Sequence, residues 1–96
     1  MAEARGKVNG KHDAHKVAFY GLSTSIWCKR TRALLEENDV QFDFTYMDLL
    51  GGDEQKAALQ EVTRWNPSSS FPTVVIDDAT CIVGYEPDKL KEALGL

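Results

Sequence analysis

The sequence predicts a single α/β domain built on a four-stranded mixed sheet with helices on both faces. Short apolar segments of strand length alternate with longer amphipathic segments, in the order β-α-β-α-β-β-α. The last two strand segments flank the turn residues Asp77-Asp78, which predicts an antiparallel hairpin. A chain of 96 residues is long enough for one modest hydrophobic core.

The first half of the domain predicts a parallel βαβ unit. Lys16–Tyr20 is an apolar strand, and an amphipathic helix runs from Ile26 to about Asn38. Gln41–Met47 alternates polar and apolar residues and is the second strand. A right-handed crossover then places the first strand in the interior of the sheet, between the second and third strands.

The second half adds a helix, a hairpin and a last helix. The predicted elements are a helix from Asp53 to about Arg64, a loop at 65–70, strands at Pro72–Ile76 and Thr80–Val83, and a helix at 87–94. Gly51-Gly52 breaks the chain before the first of these helices. Pro87 suits the first position of the last one.

Composition limits the possible partners and location. Residues 1–15 have no periodicity and are rich in glycine and lysine, which predicts a flexible N-terminal tail before a domain at 16–96. The net charge of −4 argues against a nucleic-acid partner, and no apolar run approaches the roughly 18 residues that cross a membrane. Two cysteines are too few for a disulfide scaffold, which favours a reducing cytoplasm, and no metal site is predicted.

A lone cysteine in the first turn of a helix is the main chemical feature. Unpaired N–H groups and the helix dipole favour an anion there, so a cysteine can have a lowered pKa and act as a nucleophile. In a Cys-x-x-Cys site the first sulfur attacks and the second resolves the mixed disulfide. Here Ser25 holds the first position and Cys28 the second. The alternative is that Ser25 is only a helix N-cap and Cys28 a small buried residue.

Phe71-Pro72 opens the third strand and is a candidate substrate clamp. An X-Pro bond can be cis at modest cost, and a cis bond can turn the preceding backbone outward to pair with an extended peptide. The alternative is a trans proline on an edge strand.

Three further side chains have two interpretations each. Trp27, between the two site positions, is interpreted as a contact for a partner protein, with packing over the helix start as the alternative. Lys29 could stabilise a thiolate or be a solvated charge. Cys81 lies in the fourth strand and is interpreted as a packed residue, not as a redox partner.

The predicted architecture is the thioredoxin fold in its smallest form, and over residues 16–95 the chain resembles the glutaredoxin family. The residues that carry the resemblance are Tyr20, Ser25-Ile26-Trp27-Cys28, Lys29, Ser70-Phe71-Pro72-Thr73 and Gly84-Tyr85. The resemblance implies a monomeric thiol-disulfide oxidoreductase that reduces protein disulfides or glutathione mixed disulfides. It implies no tightly bound cofactor, with glutathione or thioredoxin reductase as the electron source.

The resemblance also assigns roles to particular positions. Ser25 and Cys28 fall at the catalytic positions. The implied substrate-binding residues are Trp27, Lys29, Ser70, Phe71, Pro72, Gly84, Tyr85 and Glu86.

The chain departs from the family pattern at several of these positions. Leu22 stands where the family has a glutathione-binding lysine, Ser70-Phe71 replaces a threonine-valine pair, and Tyr85 replaces a second glycine. The segment 84–88 is more similar to redoxins that serve ribonucleotide reductase and take electrons from thioredoxin reductase. The glutathione link is therefore weaker than the fold assignment.

Ser25 is the departure with the largest consequence, because the family keeps a cysteine there. We favour a cysteine-to-serine replacement over a natural serine, with a replaced selenocysteine as a further alternative. The chain is expected to be a largely inactive form of a redox enzyme. A redox-inactive binding module is the competing hypothesis, and an iron–sulfur carrier would need a cysteine at position 25.

Overall fold

The computed structural model describes residues 3–96. Its elements are strands β1 (Arg5–Val8), β2 (Val17–Gly21), β3 (Phe42–Tyr46), β4 (Thr73–Ile76) and β5 (Thr80–Val83), and helices α1 (Ile26–Glu37), α2 (Gly52–Trp65) and α3 (Pro87–Leu94). The strands form one sheet in the order β1-β3-β2-β4-β5. None of the described helices is long and apolar enough to cross a membrane.

The predicted α/β architecture and the inner position of β2 are confirmed. β2 pairs in parallel with β3 on one side and antiparallel with β4 on the other. On one sheet face, Phe19 and Phe42 pack with Leu35 of α1 and Leu90 of α3. On the other face, Tyr20 and Val75 pack with Ala58 and Val62 of α2. The helices therefore cover both faces of the sheet. The end of β2 leads into the loop 22–25, called the site loop below.

The prediction of four strands is wrong, because residues 5–8 of the segment expected to be flexible form a fifth strand, β1. β1 pairs antiparallel with β3, and further along, the His12 N–H donates to the Asp39 carbonyl oxygen at 2.9 Å. Two glycines allow this close approach. A Cβ on Gly6 would lie 2.7 Å from Cζ of Phe44, and one on Gly10 would lie 2.5 Å from the Asp39 carbonyl oxygen. The glycine content of this segment predicts flexibility, but in the structure Gly6 and Gly10 permit close packing.

Smaller differences concern the ends of elements. α2 begins one residue before the predicted Asp53, with Gly51 as its N-cap, and it includes Trp65, which was expected in the following loop. The Asp77-Asp78 turn is confirmed, and both residues have positive φ angles of 56° and 49°. Such angles at both central residues are what a tight hairpin turn requires.

The hairpin turn is fastened to the start of β2 by polar contacts. His15 Nδ1 lies 2.7 Å from Asp77 Oδ2, and the Lys16 N–H donates to Asp77 Oδ1 at 2.8 Å. The hydrogen bond from His15, and then that from the Lys16 amide, hold the pKa of Asp77 below its ordinary value. His15, which lies in the segment predicted to be a flexible tail, is thus part of the fold.

Replacing Gly10 by alanine should release the N-terminal segment, because the new Cβ would meet backbone atoms that cannot move aside. We expect a cost of about 1–3 kcal/mol. Hydrogen exchange at the His12 and Gln41 amides, which bond across this contact, should become faster. Gly51→Ala is the matched control, since its Cβ would meet nothing within 4 Å. Unchanged exchange in Gly10→Ala would show that β1 is not held by this approach.

Asp77→Asn should lower the melting temperature at pH 7. A carboxyl whose pKa is lowered in the folded state stabilises the fold above its unfolded pKa, and this contribution is lost as pH falls through the folded pKa. The difference between Asp77→Asn and the unchanged chain should therefore shrink as pH falls below about 4. Thermal melts from pH 7 to 2 test this, with Asp13→Asn as the control for charge. A gap that is constant with pH would contradict it.

Candidate active site

Ser25 caps α1 at the end of the loop that follows β2. Its backbone is extended, and its Oγ accepts a hydrogen bond from the Cys28 N–H at 3.3 Å. The Ser25 N–H in turn donates to the Leu22 carbonyl oxygen at 3.2 Å. The serine oxygen therefore occupies the position at the helix tip where unpaired N–H groups favour an anion.

Cys28 lies one turn inside α1, and its thiol is buried. The residue is 1% exposed and packs in the core with Phe19 and Leu35. Its Sγ accepts a hydrogen bond from the Leu22 N–H at 3.3 Å. A sulfur in this position has no open approach for a substrate disulfide, which an attacking thiolate needs.

Asp48, just after β3, fastens the site loop from the side. The Ser23 N–H donates to Asp48 Oδ1 at 2.8 Å, and the Ser23 hydroxyl donates to Oδ2. Slight burial favours the neutral carboxyl, but the hydrogen bonds from Ser23 outweigh it and keep the pKa of Asp48 below its ordinary value. Sequence reasoning missed this contact. The only signal was an acidic residue directly after a strand, and its partner is 25 residues away.

Phe71 and Pro72 lie beside the same loop, and the bond between them is cis, as predicted. Tyr20 pairs with Thr73 in the antiparallel β2–β4 ladder, so the residues before Thr73 run alongside those that follow Gly21. The Pro72 carbonyl oxygen accepts a hydrogen bond from the Gly84 N–H at 2.8 Å. The clamp segment is thereby tied to the chain that leads into α3.

Asn66 holds the loop that precedes this bond. Its buried side-chain amide donates to the Ser70 carbonyl oxygen, the Ser70 hydroxyl and the Thr73 hydroxyl, each at 3.1 Å. Sequence reasoning treated Asn66 as an ordinary loop residue. A buried amide with three acceptors orders the chain, because an unpaired one would be costly.

An apolar groove of about 380 Å³ lies between the site loop and α2. Leu22 and Phe71 line it together with Met47, Leu59 and Lys56. Leu22 and Phe71, predicted from different parts of the chain to be near the site, are thus neighbours.

Trp27 lies on the exposed side of the α1 start. Its side chain is 51% exposed and stacks on Tyr85 with ring centroids 5.8 Å apart. The Arg30 guanidinium lies 5.1 Å from the Trp27 ring centroid. The Trp27–Tyr85 contact therefore joins the start of α1 to the segment before α3.

The other predicted site residues are less closely connected. Lys29 is exposed on α1, Ser70 is exposed at the clamp, and Glu86 is the N-cap of α3 without a side-chain capping bond. Cys81 is half-buried on β5 opposite Val75, and burial raises the pKa of its thiol. Within residues 3–96 no group of three or more His, Cys, Asp or Glu side chains is placed to hold a metal ion.

The fold and the loop that leads into α1 define a protein of the thioredoxin-fold class. The chain belongs to the glutaredoxin family, whose model matches residues 17–80. It is similar to the glutaredoxin from Methanosarcina mazei Go1, with 46% identity over 98% of this chain and 90% of that one, at a TM-score of 0.90.

Two further relatives extend the comparison. The methanoredoxin of Methanosarcina acetivorans is 43% identical over 95% of this chain and 96% of that one, at a TM-score of 0.91. The gene 56 protein of Mycobacterium phage D29 is 34% identical over 67 residues, or 70% of this chain and 69% of the relative. The family and fold expected from the sequence are confirmed.

Alkylation should separate the two positions of the site. Because the Cys28 sulfur is buried, it should react slowly with iodoacetamide at pH 7, whereas Ser25→Cys should gain one fast-reacting thiol. Mass spectrometry of peptides over time measures both rates, with Cys81→Ser as the background that removes the other thiol. Rapid labelling of Cys28 in the unchanged chain would contradict the burial argument.

Proposed function

We propose that this chain is a glutaredoxin-type thiol-disulfide oxidoreductase in which serine replaces the attacking cysteine at position 25. The observation that carries the proposal is the arrangement at the helix tip. An oxygen of the half-buried Ser25 accepts the Cys28 N–H at the helix tip, while the chain's nearby sulfur belongs to a residue that is 1% exposed. The fold supports disulfide exchange, and the chain with serine at position 25 is expected to catalyse it slowly.

With a cysteine at position 25, the reaction balances in two exchanges. The thiolate at position 25 attacks one sulfur of a substrate disulfide, a new S–S bond forms, and the other substrate sulfur leaves as a thiolate. The Cys28 thiolate then attacks the sulfur at position 25 and releases the second substrate thiolate. Two electrons from glutathione or thioredoxin reductase reduce the resulting disulfide and restore the dithiol.

The helix start supplies the electrostatics for the first exchange. The Cys28 N–H, which donates to Ser25 Oγ at 3.3 Å, is placed to donate to a sulfur there instead. Such donors and the helix dipole lower the pKa of a thiol and stabilise its thiolate. A serine hydroxyl gains too little from the same donors to ionise at neutral pH without a general base.

We assign substrate binding to the surfaces on either side of this tip. The backbone of Ser70, Phe71 and Pro72 would pair with an extended substrate segment. Trp27, Lys29, Gly84, Tyr85 and Glu86 are the remaining proposed binding residues. The exposed Trp27–Tyr85 stack supports a protein partner, since aromatic anchors of this kind dominate many interfaces.

Leu22 bears on the electron source. At the place where a family lysine would meet a glutathione carboxylate, this chain presents an apolar side chain in an apolar groove. This supports thioredoxin reductase over glutathione as the reductant. We further propose that the protein acts as a monomer in a reducing cytoplasm.

The second candidate is a redox-inactive binding module that uses the clamp and Trp27 to hold a partner. The observation that favours it is Ser25 itself, which makes a good N-cap and leaves the fold intact.

Ser25→Cys should raise disulfide reductase activity by orders of magnitude, because it places a stabilised thiolate at the helix tip. The substrates are a small mixed disulfide and a protein disulfide, assayed first with glutathione plus glutathione reductase and then with thioredoxin reductase. Ser25→Ala is the matched control and should be as slow as the unchanged chain.

Each outcome has a distinct meaning. If the serine form turns over as fast as Ser25→Cys, Cys28 is the nucleophile and the assigned roles are wrong. If Ser25→Cys is inert with both reductants, the binding-module function is the better one. Activity only with thioredoxin reductase would agree with the apolar Leu22.

A further inference from the structure

The backbone of the site loop bonds to both positions of the candidate active site. The Leu22 N–H donates to Cys28 Sγ at 3.3 Å. The Leu22 carbonyl oxygen accepts the Ser25 N–H at 3.2 Å, which closes a turn of four residues. Leu22 thus places a donor at the sulfur and an acceptor at the helix tip. Because both are backbone groups, their directions depend on how the loop is held.

Asp48 holds the loop through the residue that follows Leu22. Its two carboxylate oxygens accept from the Ser23 N–H, at 2.8 Å, and from the Ser23 hydroxyl. The Ser23 N–H and the Leu22 carbonyl lie in one planar peptide unit, so fixing the first also fixes the second. On its other side Leu22 is joined to Gly21, which is held in the sheet opposite Tyr46. The Leu22 N–H is therefore oriented from both sides.

Asp48 is itself rigidly supported by two elements of the fold. It lies in a single helical turn, Met47–Leu49, directly after β3. The Gln55 side chain of α2 donates to the Met47 and Leu50 carbonyl oxygens at 2.9 and 3.1 Å, which holds both ends of this turn. The carboxylate is thus presented to the loop by β3 and α2, neither of which carries a candidate catalytic residue.

The donor at the Cys28 sulfur bears on the second of the two exchanges. Cys28 must act as a thiolate to attack the sulfur at position 25, and in the core a thiolate loses the water that would solvate it. The Leu22 N–H replaces part of that solvation. The first exchange uses a different donor, the Cys28 N–H at the helix tip. A change in the site loop should therefore affect the two exchanges unequally.

We propose that Asp48 is a positioning residue for the resolving step and acts through Ser23 and the site loop. It keeps the Leu22 N–H directed at the Cys28 sulfur. In this step an S–S bond forms between positions 25 and 28, the bond from position 25 to the substrate breaks, and the substrate sulfur leaves as a thiolate. The inference rests on the proposed function, since the step needs a cysteine at position 25. The geometry of Asp48 matters here and its charge does not help, because a nearby anion disfavours a thiolate.

Two substitutions of Asp48 separate geometry from charge. Asp48→Asn removes the charge but keeps an oxygen that accepts the Ser23 N–H and an amide that donates to the Ser23 hydroxyl oxygen. Asp48→Ala removes both contacts. Asp13→Ala is the matched control, since Asp13 is exposed and precedes β2, whereas the site loop follows that strand. All are made in Ser25→Cys/Cys81→Ser, called the cysteine parent, and thermal melts confirm that each variant folds.

Reaction with equimolar dithiobis(nitrobenzoate), an aromatic disulfide, times both exchanges. Attack from position 25 releases one coloured thionitrobenzoate, and attack by Cys28 on the mixed disulfide releases the second. Stopped-flow absorbance gives the two rates. We expect Asp48→Ala to slow the second release at least tenfold and the first less than threefold. Asp48→Asn should stay within threefold of the cysteine parent in both releases, and Asp13→Ala within twofold.

Hydrogen exchange tests the positioning role without any redox step. With serine kept at position 25, the Leu22 amide should exchange at least tenfold faster in Asp48→Ala than in Asp48→Asn, because only alanine frees the loop. NMR measures these rates. Unchanged exchange of the β4 amides shows that the sheet stays intact.

The outcomes separate this inference from the proposed function. If the cysteine parent releases no thionitrobenzoate, the proposed function fails, and the Leu22 exchange rates alone support or overturn the positioning role. If the cysteine parent reacts, three results would overturn the inference. These are equal slowing of both releases in Asp48→Ala, equal slowing of the second release in Asp48→Asn and Asp48→Ala, and Leu22 exchange that Asp48→Ala leaves unchanged.

Discussion

The central strand β2 is hydrogen-bonded on both sides, and this constraint determines where every part of the candidate site lies. Parallel pairing with β3 brings the end of β2 level with Tyr46 and so next to Asp48. Antiparallel pairing with β4 brings the same end beside Phe71 and Pro72. The loop that leaves β2 is thus held between two partners from distant parts of the chain. A slip of β2 by one residue would move Phe19 and Tyr20 each to the opposite face of the sheet and separate these partners.

The start of α1 places Ser25 and Cys28 in different environments. Ser25 is half-buried at the helix tip, where N–H groups favour an anion, and Cys28 is in the core, where its sulfur is protected. A serine at the tip keeps the capping hydrogen bond and therefore the helix start, but it removes the atom that could become a nucleophile. One side-chain atom at position 25 thus both caps the helix and determines whether its tip carries a thiol.

Periodic features of the sequence predicted β2 to β5 and the three helices, but long-range contacts were not predictable from it. The alternation of Gln41–Met47 and the Asp77-Asp78 turn led to the correct strands and hairpin. The helix-tip position of Ser25 followed from local capping chemistry. The partnership of Ser23 with Asp48 did not, because nothing local relates residues 25 positions apart. β1 was missed because its glycines suggested flexibility, and only the position of Phe44 shows that Gly6 is needed for packing.

That missed strand changes the shape of the molecule on the side away from the clamp. A four-stranded sheet would end at β3, and the Phe44 and Tyr46 rings would lie at an open edge beneath α1. With β1 paired to β3, the same rings become the floor of a groove with walls on both sides. Gly6 and Val8 of β1, which pair with Phe44 and Phe42, lie on the same sheet face as these rings. The N-terminal segment therefore covers the outer edge of β3, which would otherwise present unpaired backbone groups to solvent.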